Sequence, residues 1–190
     1  MHYLLALNRP LRSAVWPDQN SILKQIFLVI LGVLILAVSA QISIPFGPVP
    51  CTLQTAAVLL IGMSYGSRLG AYTIGSYLLA GACGLPVFIN MSSGLFGSTM
   101  GYLIGFIPAA MLSGYLLQNG WARTAFTSFM AAILADIIIF SFGYIGLAGF
   151  VGWEKAYLFG VKPFLITETL KLGMVALIAP RFWKTSKPND

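Results

Sequence analysis

Between Lys162 and Pro180 the chain reads KPFLITETLKLGMVALIAP, a stretch apolar enough for lipid that nonetheless carries Glu168 and Lys171 three positions apart. Residues at i and i+3 share a helix face. An ionised side chain at mid-membrane costs roughly 2.5–3.5 kcal/mol even on lenient insertion scales, so such groups face a bundle interior or a polar cavity. This segment therefore predicts a helix packed among others, with the Glu168–Lys171 face turned inward. An internal ion pair that only holds the helix in place is the plainer reading of the same residues.

The rest of the chain supplies the neighbours. Hydrophobic residues make up 58% of its 190 residues and charged ones 8%, too little polar surface to cover a soluble core. The composition predicts an all-α polytopic membrane protein, and the length allows six helices with tight loops. Met1–Asn20 has prolines and arginines but no continuous apolar core, so it is expected to be a tail rather than a signal peptide. Ser21–Ala40 is the clearest span. Gln41–Cys51, QISIPFGPVPC, breaks the helix with three prolines and a glycine. Thr52 is placed to cap a second helix, TLQTAAVLLIGM; a polar turn at 63–70 leads to a third over Ala71–Cys83. An apolar Gly/Pro/Ser loop over 84–99 is expected to fold back over the bundle. The fourth helix, Thr99–Gln118, carries a ladder of small residues at Gly97, Gly101, Gly105, Ala109 and Ser113, which suits close helix packing. A fifth over Thr124–Tyr144 holds Asp136. A loop over 146–162 then precedes the sixth helix, which ends near Ala179.

The formal charge of +6 does not point to nucleic acid, because the cations lie at the ends of apolar runs. Six spans place Arg9, Arg12, Lys24, Arg68, Arg123, Arg181, Lys184 and Lys187 on one side, against Lys155 and Lys162 on the other. The positive-inside rule then puts both termini in the cytoplasm, with residues 1–20 and 182–190 as tails and 21–181 as the membrane domain. Cys51 and Cys83 fall at outer helix ends, where a disulfide is permitted but not required.

The outer loops, Glu168, Lys171 and the polar Gln54, Asn90 and Asp136 together predict an outward pocket. Lys171 suits an anionic group and Glu168 suits N–H donors. Tyr102, Phe88, Phe46, Phe96 and Trp153 are candidates to cover an apolar ligand body. No catalytic arrangement is evident: there is no His-Glu-x-x-His, the single His2 lies in the tail, and no phosphate-binding loop occurs, so an enzyme is not expected. A proton-coupled carrier of a small anionic metabolite, relaying through Asp136 and Glu168, is the competing reading.

Four blocks carry a resemblance: ISIPFGPVPCTLQT at 42–55, GACGLPVF at 81–88, GYLIGF at 101–106 and PFLITETLK at 163–171. In this order and spacing the chain resembles the BioY family, the biotin-specific S components of energy-coupling-factor (ECF) transporters. The resemblance implies a six-helix S-component fold whose outer loops close over one biotin, with no cofactor beyond that transported ligand. It also implies a coupling protein and two ATPases as partners, or else a solitary and self-associating carrier. Where the family's last helix usually reads Pro-Phe-Leu-Pro-Gly-Asp-x-x-Lys, this chain has Ile166, Thr167 and Glu168 before Lys171. The Ala-x-x-x-Ala docking pattern of related first helices is absent between Ser21 and Ala40, with Gly32 and Leu36 the nearest substitute.

Overall fold

The computed structural model describes residues 22–94 and 97–185, and the side chains as far as residue 182. The expected tail over 1–20, Phe96 and Lys187 lie outside what is described, as does the side chain of Lys184. Among the described residues the chain folds into seven α-helices: α1 (Ile22–Gln41), α2 (Gln54–Tyr65), α3 (Ser67–Ala82), α4 (Met100–Gln118), α5 (Ala125–Val151), α6 (Trp153–Gly160) and α7 (Phe164–Thr185). Helices α1, α4 and α5 are each long and apolar enough to cross a membrane.

Burial follows what lipid rewards. On α1 large apolar side chains such as Leu23, Ile30, Leu34 and Val38 are exposed, while Gly32, Leu36, Ser39 and Ala40 turn inward. Without a hydrophobic drive between helices, close backbone approach has to supply the packing. At the α4–α5 contact, a Cβ added to Gly101 would lie 2.3 Å from the Phe142 carbonyl oxygen, and one added to Gly146 would lie 2.8 Å from the Gly101 Cα. The small-residue ladder thus begins at Gly101. Gly97 precedes the helix with φ +153 and has open space around it. Farther along, Ser113 is fully buried and its Oγ reaches the Leu59 and Ala110 carbonyls, joining α4 to α2. From Gly101 to Ser113 the ladder faces the other helices of the bundle.

Four element boundaries differ from the sequence expectation. Thr52, expected to cap α2, pairs with Ser43 in a two-residue strand, and α2 starts at Gln54 with Leu53 at its N-cap. The polar turn at 63–70 contracts to Gly66, whose φ of +82 lets α3 start at once. Helix α5 begins from a Thr124–Thr127 capping box and runs through Gly146 and Gly149 to Val151. In lipid an intrahelical hydrogen bond is too valuable to forgo, so glycine alone does not end a helix. Gly152, with φ +82, does end it, and the expected loop over 146–162 becomes the end of α5 and the short α6. Helix α7 likewise continues past Ala179, with Pro180 inside it.

The loops at the α1 C-terminal end are tied to one another. Ser43–Ile44 (β1) pairs antiparallel with Cys51–Thr52 (β2), Ser43 opposite Thr52. From the end of α1, Gln41 Nε2 donates to the Phe88 carbonyl at 2.9 Å, and its Oε1 accepts from the Met91 N–H at 3.3 Å. Ser98 Oγ donates to the Pro48 carbonyl at 2.7 Å. Loop 84–99 therefore does fold back over the bundle, through a 3-10 turn at Ile89–Met91. Cys51, buried, and Cys83, exposed, are both free thiols.

Candidate binding site

The buried positions of α7 are Phe164, Glu168, Lys171, Leu172, Val175, Ala176 and Ala179, a stripe with helical spacing that faces the bundle. Glu168 and Lys171 lie on that stripe, 5% and 8% exposed, and form a salt bridge. Two residues around the start of α2 complete their shell. Lys171 Nζ donates to the Thr52 carbonyl at 2.7 Å and to Thr55 Oγ1 at 2.9 Å, besides Glu168 Oε1. Thr55 Oγ1 in turn donates to Glu168 Oε2 at 3.0 Å. An ammonium has three protons, and all three are engaged here. Charge and hydrogen bonding are thus balanced without water, the condition under which a buried ion pair is tolerable.

This cluster lies at one side of a narrow cleft with about 60 Å³ of free space, roofed by the tied loops through Val49, Pro50 and Ile89. Gln54 lines it from α2, and its Nε2 donates to the Tyr77 hydroxyl at 2.6 Å, which itself donates to the Val87 carbonyl at 3.0 Å. Tyr102 lines it from α4, with its hydroxyl donating to the Gly160 carbonyl at 2.7 Å. Phe88 lines it from the loop, edge-on to Tyr77. A Cβ at Gly81 would fall 2.1 Å from the Phe88 ring, so the glycine is what lets that ring reach inward.

Five sequence candidates, Gln54, Phe88, Tyr102, Glu168 and Lys171, are brought together here. Asn90 is not: it is exposed, in the left-handed region at φ 54, and does not line the cleft. Asp136 lies in a second groove, between α5, α6 and α7, which shares Glu168, Phe140 and Phe164 with the cleft. The Phe140 and Phe164 rings meet edge to face, 5.8 Å between centroids, where the two spaces adjoin. Trp153 is exposed and packs on Tyr144 instead. Phe46 meets Phe164 edge to face, 6.0 Å between ring centroids. Thr52 and Thr55 are additions that sequence reasoning had not selected; their i, i+3 spacing beside Gln54 was the available signal.

Thr55 touches both ions, which gives a test of the cluster. Thr55→Val removes a hydroxyl that accepts from one ion and donates to the other, and it should lower stability by about 1–3 kcal/mol. Thr55→Ser keeps the hydroxyl and should recover most of that loss in thermal unfolding followed by intrinsic fluorescence. Equal melting temperatures for the two variants would show the hydroxyl to be incidental.

The apolar spans and this architecture define an integral membrane protein with the S-component fold. The described chain superposes on a crystal structure of the S-component for biotin from an ECF-type ABC transporter with a TM-score of 0.78, at 22% identity, over 88% of this chain and 94% of that one. The chain belongs to the BioY family, which it matches over residues 11–188. It is 38% identical over 161 residues to a probable biotin transporter BioY of Pyrococcus horikoshii, covering 83% of this chain and 95% of that protein. A biotin transporter BioY of Thermotoga maritima is 39% identical over 155 residues, or 79% and 90% of the two chains.

Proposed function

We propose that this protein captures biotin from the outer side of the cytoplasmic membrane for uptake, as the substrate-binding component of an ECF transporter. The observation that carries this reading is the buried Glu168–Thr55–Lys171 cluster facing a loop-roofed cleft, in a chain whose relatives are named biotin transporters. Biotin matches the lining chemically: a ureido ring with two N–H donors and a carbonyl, an apolar thiophane and valeryl chain, and a carboxylate. Glu168 has lone pairs left to accept a ureido N–H, and Gln54 adds a polar contact. Phe88 and Tyr102 cover the apolar body. Lys171 meets a ligand oxygen by giving up one of its three present acceptors. Asn90 reaches the ligand only if its turn swings inward.

Helices α1–α5 and α7 serve as six membrane-spanning segments, with residues 1–20 and 182–190 as cytoplasmic tails of the 21–181 domain. The arrangement of ends supports this. The α2–α3 turn with Arg68 lies beside the end of α4, and Tyr65 at the end of α2 lies beside Phe182 near the end of α7. The tied loops occupy the opposite end. A coupling protein and its ATPases supply the energy in this reading; a solitary carrier, alone or self-associated, is the form it takes without them. Biotin binding to the purified full chain in detergent, measured by calorimetry, is the direct test. Saturable one-to-one binding supports the assignment. No binding by a sample that unfolds cooperatively on heating would overturn it and favour another anion, handled through Asp136 and Glu168.

A further inference from the structure

Asp136 takes no part in the Lys171 cluster. It is 7% exposed on α5, and no described residue hydrogen-bonds its buried Oδ1. The carboxyl lines a groove of about 510 Å³ whose walls include Ile137, Leu165 and Leu172, with Tyr144 and Tyr157 among its polar members. Few charges face it from the helices packed against α5. Helix α7 presents Glu168 and Lys171, and α6 presents Tyr157, while Glu154 and Lys155 at the start of α6 are exposed and do not line the groove. Helix α4 contributes Tyr102, whose hydroxyl is committed to Gly160, and neither α4 nor α2 contains an Asp, Glu, Lys, Arg or His.

The balance at this depth is therefore two carboxyl groups against one ammonium, and that ammonium's protons are all given to Thr52, Thr55 and Glu168. If Asp136 is ionised, the empty site holds one uncompensated negative charge. A ligand carboxylate would make it two, in a medium that screens poorly. A metal ion finds too few anionic ligands: among the described residues no group of three or more His, Cys, Asp or Glu side chains converges here or elsewhere. A proton removes the charge and needs no coordination shell.

We propose that Asp136 is a proton-binding site linked to the capture cleft through Glu168, so that an anionic ligand is taken up together with a proton. The proposal rests on biotin being that ligand. Linkage is reciprocal: if the bound anion favours the protonated carboxyl, the protonated carboxyl favours the bound anion by the same factor. Affinity is then highest at low pH, with Asp136 neutral before the ligand arrives. It falls as pH rises through the range where the empty site loses its proton and the loaded site keeps it, by at most a factor of about ten per pH unit for one proton.

The test is calorimetry of biotin binding to the full chain between roughly pH 5.5 and pH 9.5. Buffers of different ionisation enthalpy count the protons exchanged. The carboxamide of biotin serves as a neutral ligand, and Asp136→Asn as a fixed neutral side chain. Wild-type protein should take up a fraction of a proton, approaching one, with biotin and much less with the carboxamide. Asp136→Asn should bind biotin with no uptake and a flat pH profile. Binding of biotin without proton exchange at any pH would overturn the proton site and leave biotin capture standing, and so would an unchanged proton count in Asp136→Asn. Failure of folded wild-type protein to bind biotin at all would overturn both.

Discussion

Replacing Lys171 with alanine is expected to raise the dissociation constant for biotin about a hundredfold or more and to destabilise the empty protein. Both effects have one origin. The Lys171 ammonium is buried and spends its three protons on Glu168, Thr55 and the Thr52 carbonyl. Truncating it leaves the Glu168 carboxylate in a low-dielectric interior with only the Thr55 hydroxyl as donor. Breaking a buried pair in this way typically costs about 3–5 kcal/mol. For a ligand that borrows one partner of such a pair, a loss of about 2–5 kcal/mol in binding is the usual range, or roughly 30-fold to several thousandfold.

A second substitution separates the two effects. In Lys171→Met combined with Glu168→Gln no net charge remains, so much of the stability should return while biotin binding stays lost. Thermal unfolding and calorimetry on both variants decide the matter. If Lys171→Ala were destabilised but bound biotin as wild type does, the pair would be a structural tie and the ligand would sit elsewhere in the cleft.

The inward direction of this pair is legible in the sequence because a helix leaves little choice: with Phe164, Leu172, Val175 and Ala179 on the same stripe, Glu168 and Lys171 point where those residues point. Likewise the three prolines after Gln41 can only form an irregular loop, and the structure uses it to hold the Thr52 carbonyl over α7. Thr55 is less legible. Its importance depends on α2 and α7 approaching within hydrogen-bond range, a tertiary fact that local periodicity does not contain. Asp136 shows the opposite failure. An acid in an apolar helix is conspicuous, but only the packed structure places Phe140 and Phe164 where its groove adjoins the cleft. The end of α5 is hidden in the sequence for a physical reason as well: Gly146 looks like a terminator, whereas its missing side chain is what admits Gly101 of α4.

That last contact leads to the other large expected effect. Gly62 and Gly101 should not tolerate even a methyl group. At Gly62 an added Cβ would lie 2.4 Å from the Ala110 carbonyl oxygen and 2.2 Å from Ser113 Oγ; at Gly101 it would lie 2.3 Å from the Phe142 carbonyl oxygen. The opposing atoms are largely backbone of packed helices, so relief requires moving α4 away from α2 or α5. Overpacking of this kind costs about 1–3 kcal/mol and can exceed that where backbone has to shift. Gly75 and Gly173 provide the controls, since nothing stands within 4 Å of a Cβ at either. Alanine there should be neutral or stabilising by up to about 1 kcal/mol through helix propensity. In a thermal series, Gly62→Ala and Gly101→Ala should therefore unfold well below wild type, with Gly75→Ala and Gly173→Ala at or above it. Because the helix-propensity gain is common to all four substitutions, the difference between the pairs isolates the steric cost of the helix contacts. A uniform rise in all four would mean that α4 is not held against α2 and α5 as closely as the structure has it, and that the cleft beneath the loops is wider than its present lining implies.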